Sequence, residues 1–293
     1  MLSRVASKTI ANRLKVFLDR IISPVQSAFV PGRLISDNIL LAFELNHFLN
    51  TRSKDDRLDG TQLSKAYDKV EWSFLEQVLS KLGFPSPFIR LIMLCVSSVS
   101  YSFLLGGKQF GSIIPERGLR QGDPLSPYLF LLCTECFSSL LQHAERMGRL
   151  RGVSICRGAP SISHLLFADD TLIFCRASLE CSQVIRDVLE VYRLASGQEI
   201  NFSKSSVVFS RHLEESLCLQ IMAGFSIRRE NKMELYLGLP SRAARSKREL
   251  FAIIRDRVWQ KITGWNEKLF SSRKRSLDKI SHSGGPYLCY GLF

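Results

Sequence analysis

Apolar residues recur along this chain with two periods, and the switches between them mark out its elements. Residues 3 to 22 place Val5, Ile10, Leu14, Phe17 and Ile21 at helical spacing among basic residues. A loop punctuated by Gly and Pro follows, from Ser23-Pro24 to Pro31-Gly32-Arg33, then a second helix from about Asp37 to Leu49. Ser64 opens a helix carrying Trp72, Phe74, Leu75, Val78 and Leu79, closed by Gly83 and Pro85-Ser86-Pro87. Residues 99 to 115 alternate as a hairpin about Gly106-Gly107. Pro124 suits the first turn of a long helix running to about Met147. Residues 161 to 175 form a second hairpin with Asp169-Asp170 at its tip. A helix (Gln183 to Ala195), the turn Ser196-Gly197-Gln198 and a strand (Ser205 to Ser210) come next. Near the end, Phe251, Ile254, Val258 and Ile262 share one stripe of a helix from Leu250 to Ile262. Helices mixed with separate hairpins indicate an α+β fold and not a wound parallel sheet.

Composition narrows the class. With 293 residues, 45% of them hydrophobic, the chain can bury a large core in one large domain or two modest ones. A net charge of +13 points to a polyanionic partner, nucleic acid before acidic membrane. From Arg242 to Lys279 there are 12 Lys or Arg against 4 Asp or Glu, so more than half of the excess lies in that stretch. A solvated basic helix face would give the same run, so charge alone does not decide. Cys133 and Cys136 form a single C-x-x-C with no second pair, whereas zinc needs about four ligands, and both read as thiols packed in a helix. No apolar stretch approaches the ~20 residues of a membrane span. The expectation is an intracellular protein, nuclear or cytoplasmic, with no membrane partner.

The second hairpin carries the candidate chemistry. Apolar strands flank Asp169-Asp170, so the turn lifts two carboxylates above a dry sheet. Adjacent carboxylates repel and resist desolvation, which a bound divalent cation relieves. Mg²⁺ suits carboxylate oxygen and takes its remaining ligands from water and substrate phosphates. An Asp-Asp turn is also an ordinary turn, and by itself it decides little. A second segment, Gly118-Leu119-Arg120-Gln121-Gly122-Asp123-Pro124-Leu125-Ser126-Pro127, is a loop entering a helix. Gly122 lets backbone approach a flat ligand, and Gln121 can hydrogen-bond a base or sugar edge.

Taken in order, these segments resemble the reverse transcriptases of non-LTR (LINE-type) retrotransposons, most strongly the plant branch. The string from Arg120 to Phe130 and the Phe167-Ala168-Asp169-Asp170 hairpin, with Asp170 standing 47 residues after Asp123, carry the likeness most specifically. The resemblance implies a right-hand polymerase fold, with fingers and palm over residues 1–240 and a partial, basic, truncated thumb over 241–293. It implies an RNA-directed DNA polymerase working on RNA template, DNA primer and dNTPs, with two Mg²⁺ held by Asp169 and Asp170. Gln26 to Arg33 resembles the fingers segment, with Arg33 near the triphosphate. Ser64 to Trp72 resembles the first palm motif, Tyr67 being the aromatic gate against a 2′-hydroxyl. Ser196 to Asn201 resembles the next palm motif, with Lys204 as proton donor to pyrophosphate. Tyr236-Leu237-Gly238-Leu239-Pro240 is similar to the primer-gripping turn. The likeness runs from about residue 8 to about 270, and neither a nicking domain nor a Cys/His knuckle is expected within these residues.

One position departs from the family pattern. The first palm motif should carry a third carboxylate, and Gln62 stands there. Asp59 lies three residues upstream, which in a regular strand means about 10 Å away and on the opposite face; only a bulge would bring it into place. Asp68 is further still. The segment from Asp55 to Gln62 is also too polar for a central palm strand. A polymerase fold with activity reduced or lost is therefore expected. The alternatives are a non-catalytic RNA- or DNA-binding remnant of that fold, or a decayed relic without a role.

Overall fold

The computed structural model describes residues 2–52, 69–106, 108–156, 158–199, 201, 205–209, 213–225, 228–229, 235–237, 239–240, 255–256 and 259. The chain divides into two compact units, 1–242 and 243–293. In the second unit Arg255, Asp256 and Trp259 are helical and exposed.

The first unit is built from seven helices among the described residues: α1 (Leu2–Ile21), α2 (Ile35–Arg52), α3 (Trp72–Lys81), α4 (Ser86–Ser97), α5 (Ser126–Arg146), α6 (Leu179–Ser196) and α7 (Glu215–Phe225). Four small two-stranded sheets accompany them. Three are antiparallel: β1 (Tyr101–Leu105) with β2 (Lys108–Ile113), β3 (His164–Phe167) with β4 (Asp170–Ile173), and β7 (Leu235–Tyr236) with β8 (Leu239–Pro240). The fourth pairs β5 (Ser206–Val207) with β6 (Arg228–Arg229) in parallel.

α5 is the central beam. Leu129, Phe130, Leu131, Leu132 and Cys133 are all buried and face a core shared with α1, α3 and α4. Phe137, Leu141 and Ala144 continue the same helix into a second core with α6, α7 and one face of the β3–β4 hairpin. The other face of that hairpin, through Leu165, Leu172 and Phe174, packs in a third cluster with Ala42 and Leu45 of α2 and with Tyr236. A sheet buried on both faces needs apolar side chains at consecutive positions, not alternate ones, and that is how these two strands read.

Three elements differ from the sequence expectation. α3 begins at Trp72 and not at Ser64, because Glu71 is extended (φ −68, ψ 130), pairs with Arg117 and donates its backbone N–H to Ser196 O at 2.9 Å. Residues 64–68 lie outside the described residues. Pro85-Ser86-Pro87 does not merely end a helix. It starts α4, where a proline in the first turn loses no intrahelical bond. The same rule puts Pro127, and not Pro124, in the first turn of α5. Most of the expected helix over 250–262 lies outside the described residues.

Candidate active site

β3 and β4 pair from His164↔Ile173 to Phe167↔Asp170, leaving Ala168 and Asp169 as a two-residue loop. Ala168 has φ +53 while Asp169 stays on the negative side, the pattern of a type II′ hairpin turn. Glycine is the usual residue there, and a side chain in that region costs on the order of 1 kcal/mol. Asp169 and Asp170 are both half-buried at this tip.

What holds the strained turn comes from far away in sequence. The segment after α1 lies alongside β3, with Leu166 N donating to Val25 O at 2.9 Å and Ser27 N donating to Leu166 O at 3.2 Å. Between them, the buried Gln26 turns its Oε1 to accept from Ala28 N (3.0 Å) and Ala168 N (3.1 Å). Asn38, buried on α2, donates to Leu166 O (2.9 Å) and Ser27 Oγ (3.1 Å). Its Oδ1 accepts from the Tyr236 hydroxyl at 2.8 Å. Burial, and secondarily the charge of Asp170, push the Tyr236 phenol far above its ordinary range, so it remains a donor. Tyr236 therefore lies within electrostatic reach of the acidic tip, and Leu237 beside it adopts φ +48.

A polar seam runs beneath the hairpin. The His164 ring meets Ser138 Oγ at 2.8 Å through Nε2 and Ser163 Oγ at 3.0 Å through Nδ1. Burial lowers its pKa to about 4, so the ring is neutral at physiological pH. Ser23 bridges the same Ser138 hydroxyl (3.0 Å) to the Glu135 carboxylate, which accepts from Ser23 N at 2.9 Å. Burial raises the Glu135 pKa, and the Ser23 hydrogen bonds and the Arg33 charge partly offset it.

Arg33, expected beside the triphosphate, has its guanidinium engaged by Ile22 O (2.9 Å), Ser23 O (2.5 Å), Gln26 O (2.7 Å) and Asp19 (3.0 Å). Reaching a phosphate would require it to release these partners. Gln121 and Gly122 stand exposed at the tip of a separate loop. That loop is anchored by Gly118, whose N–H donates to Val70 O (2.8 Å) and whose carbonyl accepts from Trp72 Nε1 (2.9 Å). Gly122 has φ +81 with open space where a side chain would sit, so backbone is presented there without cover. Asp123, behind it, accepts from Leu125 N at 2.8 Å in a side-chain turn just before α5. Gln198 accepts from the Tyr192 hydroxyl at 2.9 Å inside the core. Cys133 and Cys136 both lie in α5, the first fully buried and the second half-buried against the core. Gln62, Tyr67, Lys204 and Gly238 lie outside the described residues.

Gln26, Asn38 and His164 contribute to this tip although their sequence positions do not point to it. No local signal marks them: Gln26 is followed by Ser27, Asn38 follows Ser36-Asp37, and His164 follows Ser163. Their partners, up to 198 residues away, could not be named from spacing.

The donor set at the tip, two adjacent carboxylates, fits a hard divalent cation, although among the described residues no third Asp, Glu, His or Cys joins them. Also among the described residues, no helix is long and apolar enough to cross a membrane.

Residues 1–241 match the family model described as reverse transcriptase (RNA-dependent DNA polymerase). An uncharacterised mitochondrial protein of Arabidopsis thaliana is 41% identical over 111 residues, covering 36% of this chain and 87% of that protein. An uncharacterised 149 kDa protein of transposon TX1 from Xenopus laevis is 30% identical over 80% of this chain and 17% of its own length. A retrovirus-related Pol polyprotein from a type-1 retrotransposable element of Popillia japonica is 27% identical over 74% of this chain and 29% of its own. Among solved structures, telomerase from Candida tropicalis, in complex with a fragment of telomeric RNA, matches with a TM-score of 0.53. That match covers 94% of this chain and 47% of that one at 11% identity, a likeness of fold alone.

The fold is accordingly that of a right-hand polymerase, α+β in class. The chain belongs to the reverse transcriptase family, on its non-LTR (LINE-type) branch, and the Arabidopsis relative fits the plant-like side of that branch. It spans less than a third of the length of the two transposon proteins it matches.

Proposed function

We propose that this chain forms the nucleotidyl-transfer domain of an RNA-directed DNA polymerase whose catalytic carboxylates are Asp169 and Asp170, and that Gln62 impairs its turnover. The carrying observation is the hairpin tip. Two half-buried carboxylates stand on a turn braced from three distant segments, the kind of fixed placement that charge-stabilising chemistry requires. Mg²⁺ bound there would supply Lewis acidity to the attacking 3′-hydroxyl and neutralise charge on the leaving pyrophosphate. Asp169 and Asp170 would hold it, and the neutral amide of Gln62 leaves the site a carboxylate short.

Around that centre the chain's residues divide the remaining tasks. The bare backbone at Gly122 and the side chain of Gln121 meet the nucleotide, and Tyr67 screens the ribose 2′ position. Lys204 gives a proton to pyrophosphate, while the turn of Tyr236, Leu237 and Gly238 grips the primer end, Tyr236 acting as its buried anchor. The basic residues of 241–293, as thumb, supply charge for the phosphates of an RNA template and DNA primer.

Primer extension on an RNA template with Mg²⁺ and dNTPs tests the reading. The unaltered chain should extend about 10³-fold more slowly than Gln62→Asp, the cost of one missing metal ligand. Asp169→Asn should abolish what remains. Equal rates for the unaltered chain and Gln62→Asp, both well above Asp169→Asn, would refute the impairment. A Gln62→Asp chain as inactive as Asp169→Asn would place the defect in the wider strand segment from Asp55 to Gln62. The second reading, binding of RNA or hybrid duplex without chemistry, is favoured by Gln62 itself. Both readings expect salt-dependent affinity, so Mg²⁺-dependent dNTP incorporation separates them.

A further inference from the structure

One carboxamide joins the loop after α1 to the acidic turn. Gln26 is 1% exposed, and its Oε1 takes two backbone donors, Ala28 N–H and Ala168 N–H. Ala168 immediately precedes Asp169 and holds the left-handed conformation that a Cβ disfavours. Its N–H falls beyond the last ladder pair, Phe167↔Asp170, so the hairpin itself does not engage it. Two facing donors fix which end of the amide is oxygen. Nε2 is then left buried without a partner. An unpartnered buried donor is unfavourable, and an apolar side chain of similar shape would avoid it. The oxygen is what the position uses.

The loop carrying Gln26 is itself held tightly. Arg33 gathers the carbonyls of Ile22, Ser23 and Gln26, and the backbone on either side of Gln26 is bonded to Leu166. The carboxamide is thus delivered to the turn by a braced backbone.

We propose that Gln26 is a positioning residue of the catalytic turn. By accepting from Ala168 it stabilises the left-handed residue and so sets the direction in which Asp169 and Asp170 present their carboxylates. Arg33 acts one step back, by shaping the loop. The proposal rests on Asp169 and Asp170 being the metal-holding pair.

The test uses a two-variant cycle read without polymerase activity. Gln26→Met keeps length and apolar body but removes the acceptor. Ala168→Gly removes the need for it, since glycine adopts positive φ freely. In the unaltered chain the Ala168 amide should exchange with deuterium about as slowly as Leu166, as expected for a buried, bonded amide. Gln26→Met should speed that exchange about 100-fold and weaken Mn²⁺ binding at the acidic tip about tenfold, while adding Ala168→Gly should restore the Mn²⁺ affinity. Fast Ala168 exchange in the unaltered chain would overturn the proposal, as would a Gln26→Met chain with Mn²⁺ affinity unchanged or a failure of the glycine to restore it. Should Gln26→Met not fold, exchange in the unaltered chain decides alone. Mn²⁺ binding that Asp169→Asn leaves unaltered would instead remove the metal assignment, while the exchange data still reported on the turn.

Discussion

His164 makes the hairpin's stability depend on acid in a window set by two pKa values. In the folded chain burial lowers its pKa to about 4, against 6.5 for the ordinary imidazole. Only 1% of the residue is exposed, so little of the effect is screened. The unfolded chain binds the proton first. Stability is therefore complete above about pH 6.5, is lost as pH falls toward 4, and stops falling below that. At 1.36 kcal/mol per unit, the loss between about pH 7.5 and about pH 4.5 comes to roughly 2.5 kcal/mol. Glu135, on the adjoining seam, works with the opposite sign. Its raised pKa favours the folded chain in acid and disfavours it as pH rises past the ordinary carboxylate value. Urea unfolding across this range, for the unaltered chain and for His164→Gln, gives the measurement. The substitution should flatten the slope while lowering stability at neutral pH. A slope that survives His164→Gln would refute the assignment of the acid sensitivity to this ring.

Three further outcomes follow from the packing. Tyr236→Phe leaves the buried Asn38 Oδ1 without its donor and should cost about 1–3 kcal/mol, measurable as a shift in denaturation midpoint; no shift would mean the bond contributes nothing net. Gly197 has φ +72 at the end of α6, and an added Cβ would lie 2.7 Å from Lys69 O and Glu71 Cγ. Gly197→Ala should therefore lower stability by at least about 1 kcal/mol, whereas a neutral result would show that residues 69–71 give way easily. Phe130→Ala, at a fully buried position in the second turn of α5, should cost about 3–5 kcal/mol in the same assay, and a loss under about 1 kcal/mol would contradict the core described for that helix.

The parts of this fold legible in sequence are those whose signal is local. The acidic hairpin could be read because burial on both faces makes most of its strand positions apolar on either side of Asp169-Asp170. Gly197 ended α6 as read, since a left-handed residue after a helix calls for glycine. The losses have equally definite causes. α4 is hard to see in sequence because Pro85 and Pro87, which begin it, equally suit the end of the preceding helix. The start of α3 at Trp72 is not legible in sequence because Glu71 is held extended by Arg117 and Ser196, partners that no period reveals. The phosphate role of Arg33 rests on the likeness of the segment Gln26 to Arg33 and on its fixed charge; that its guanidinium engages carbonyls of its own loop is a feature no local pattern shows. At the tip, the two carboxylates were evident, but Gln26, which reaches across 142 residues to the turn, was not.

The bond between Asn38 and Tyr236 closes a loop of 198 residues, and this has a consequence for synthesis on the ribosome. Residues 164–173 emerge early enough to pair as a hairpin and to rest on α5. Their second face, through Leu165, Leu172 and Phe174, waits for Tyr236, which follows Ile173 by 63 residues. At ordinary elongation rates of about 5–20 residues per second that interval is roughly 3–12 s. During it the nascent chain carries a partly uncovered apolar face, and the acidic tip lacks its aromatic neighbour. The site is therefore finished from its C-terminal side, at the moment Tyr236 leaves the exit tunnel and docks.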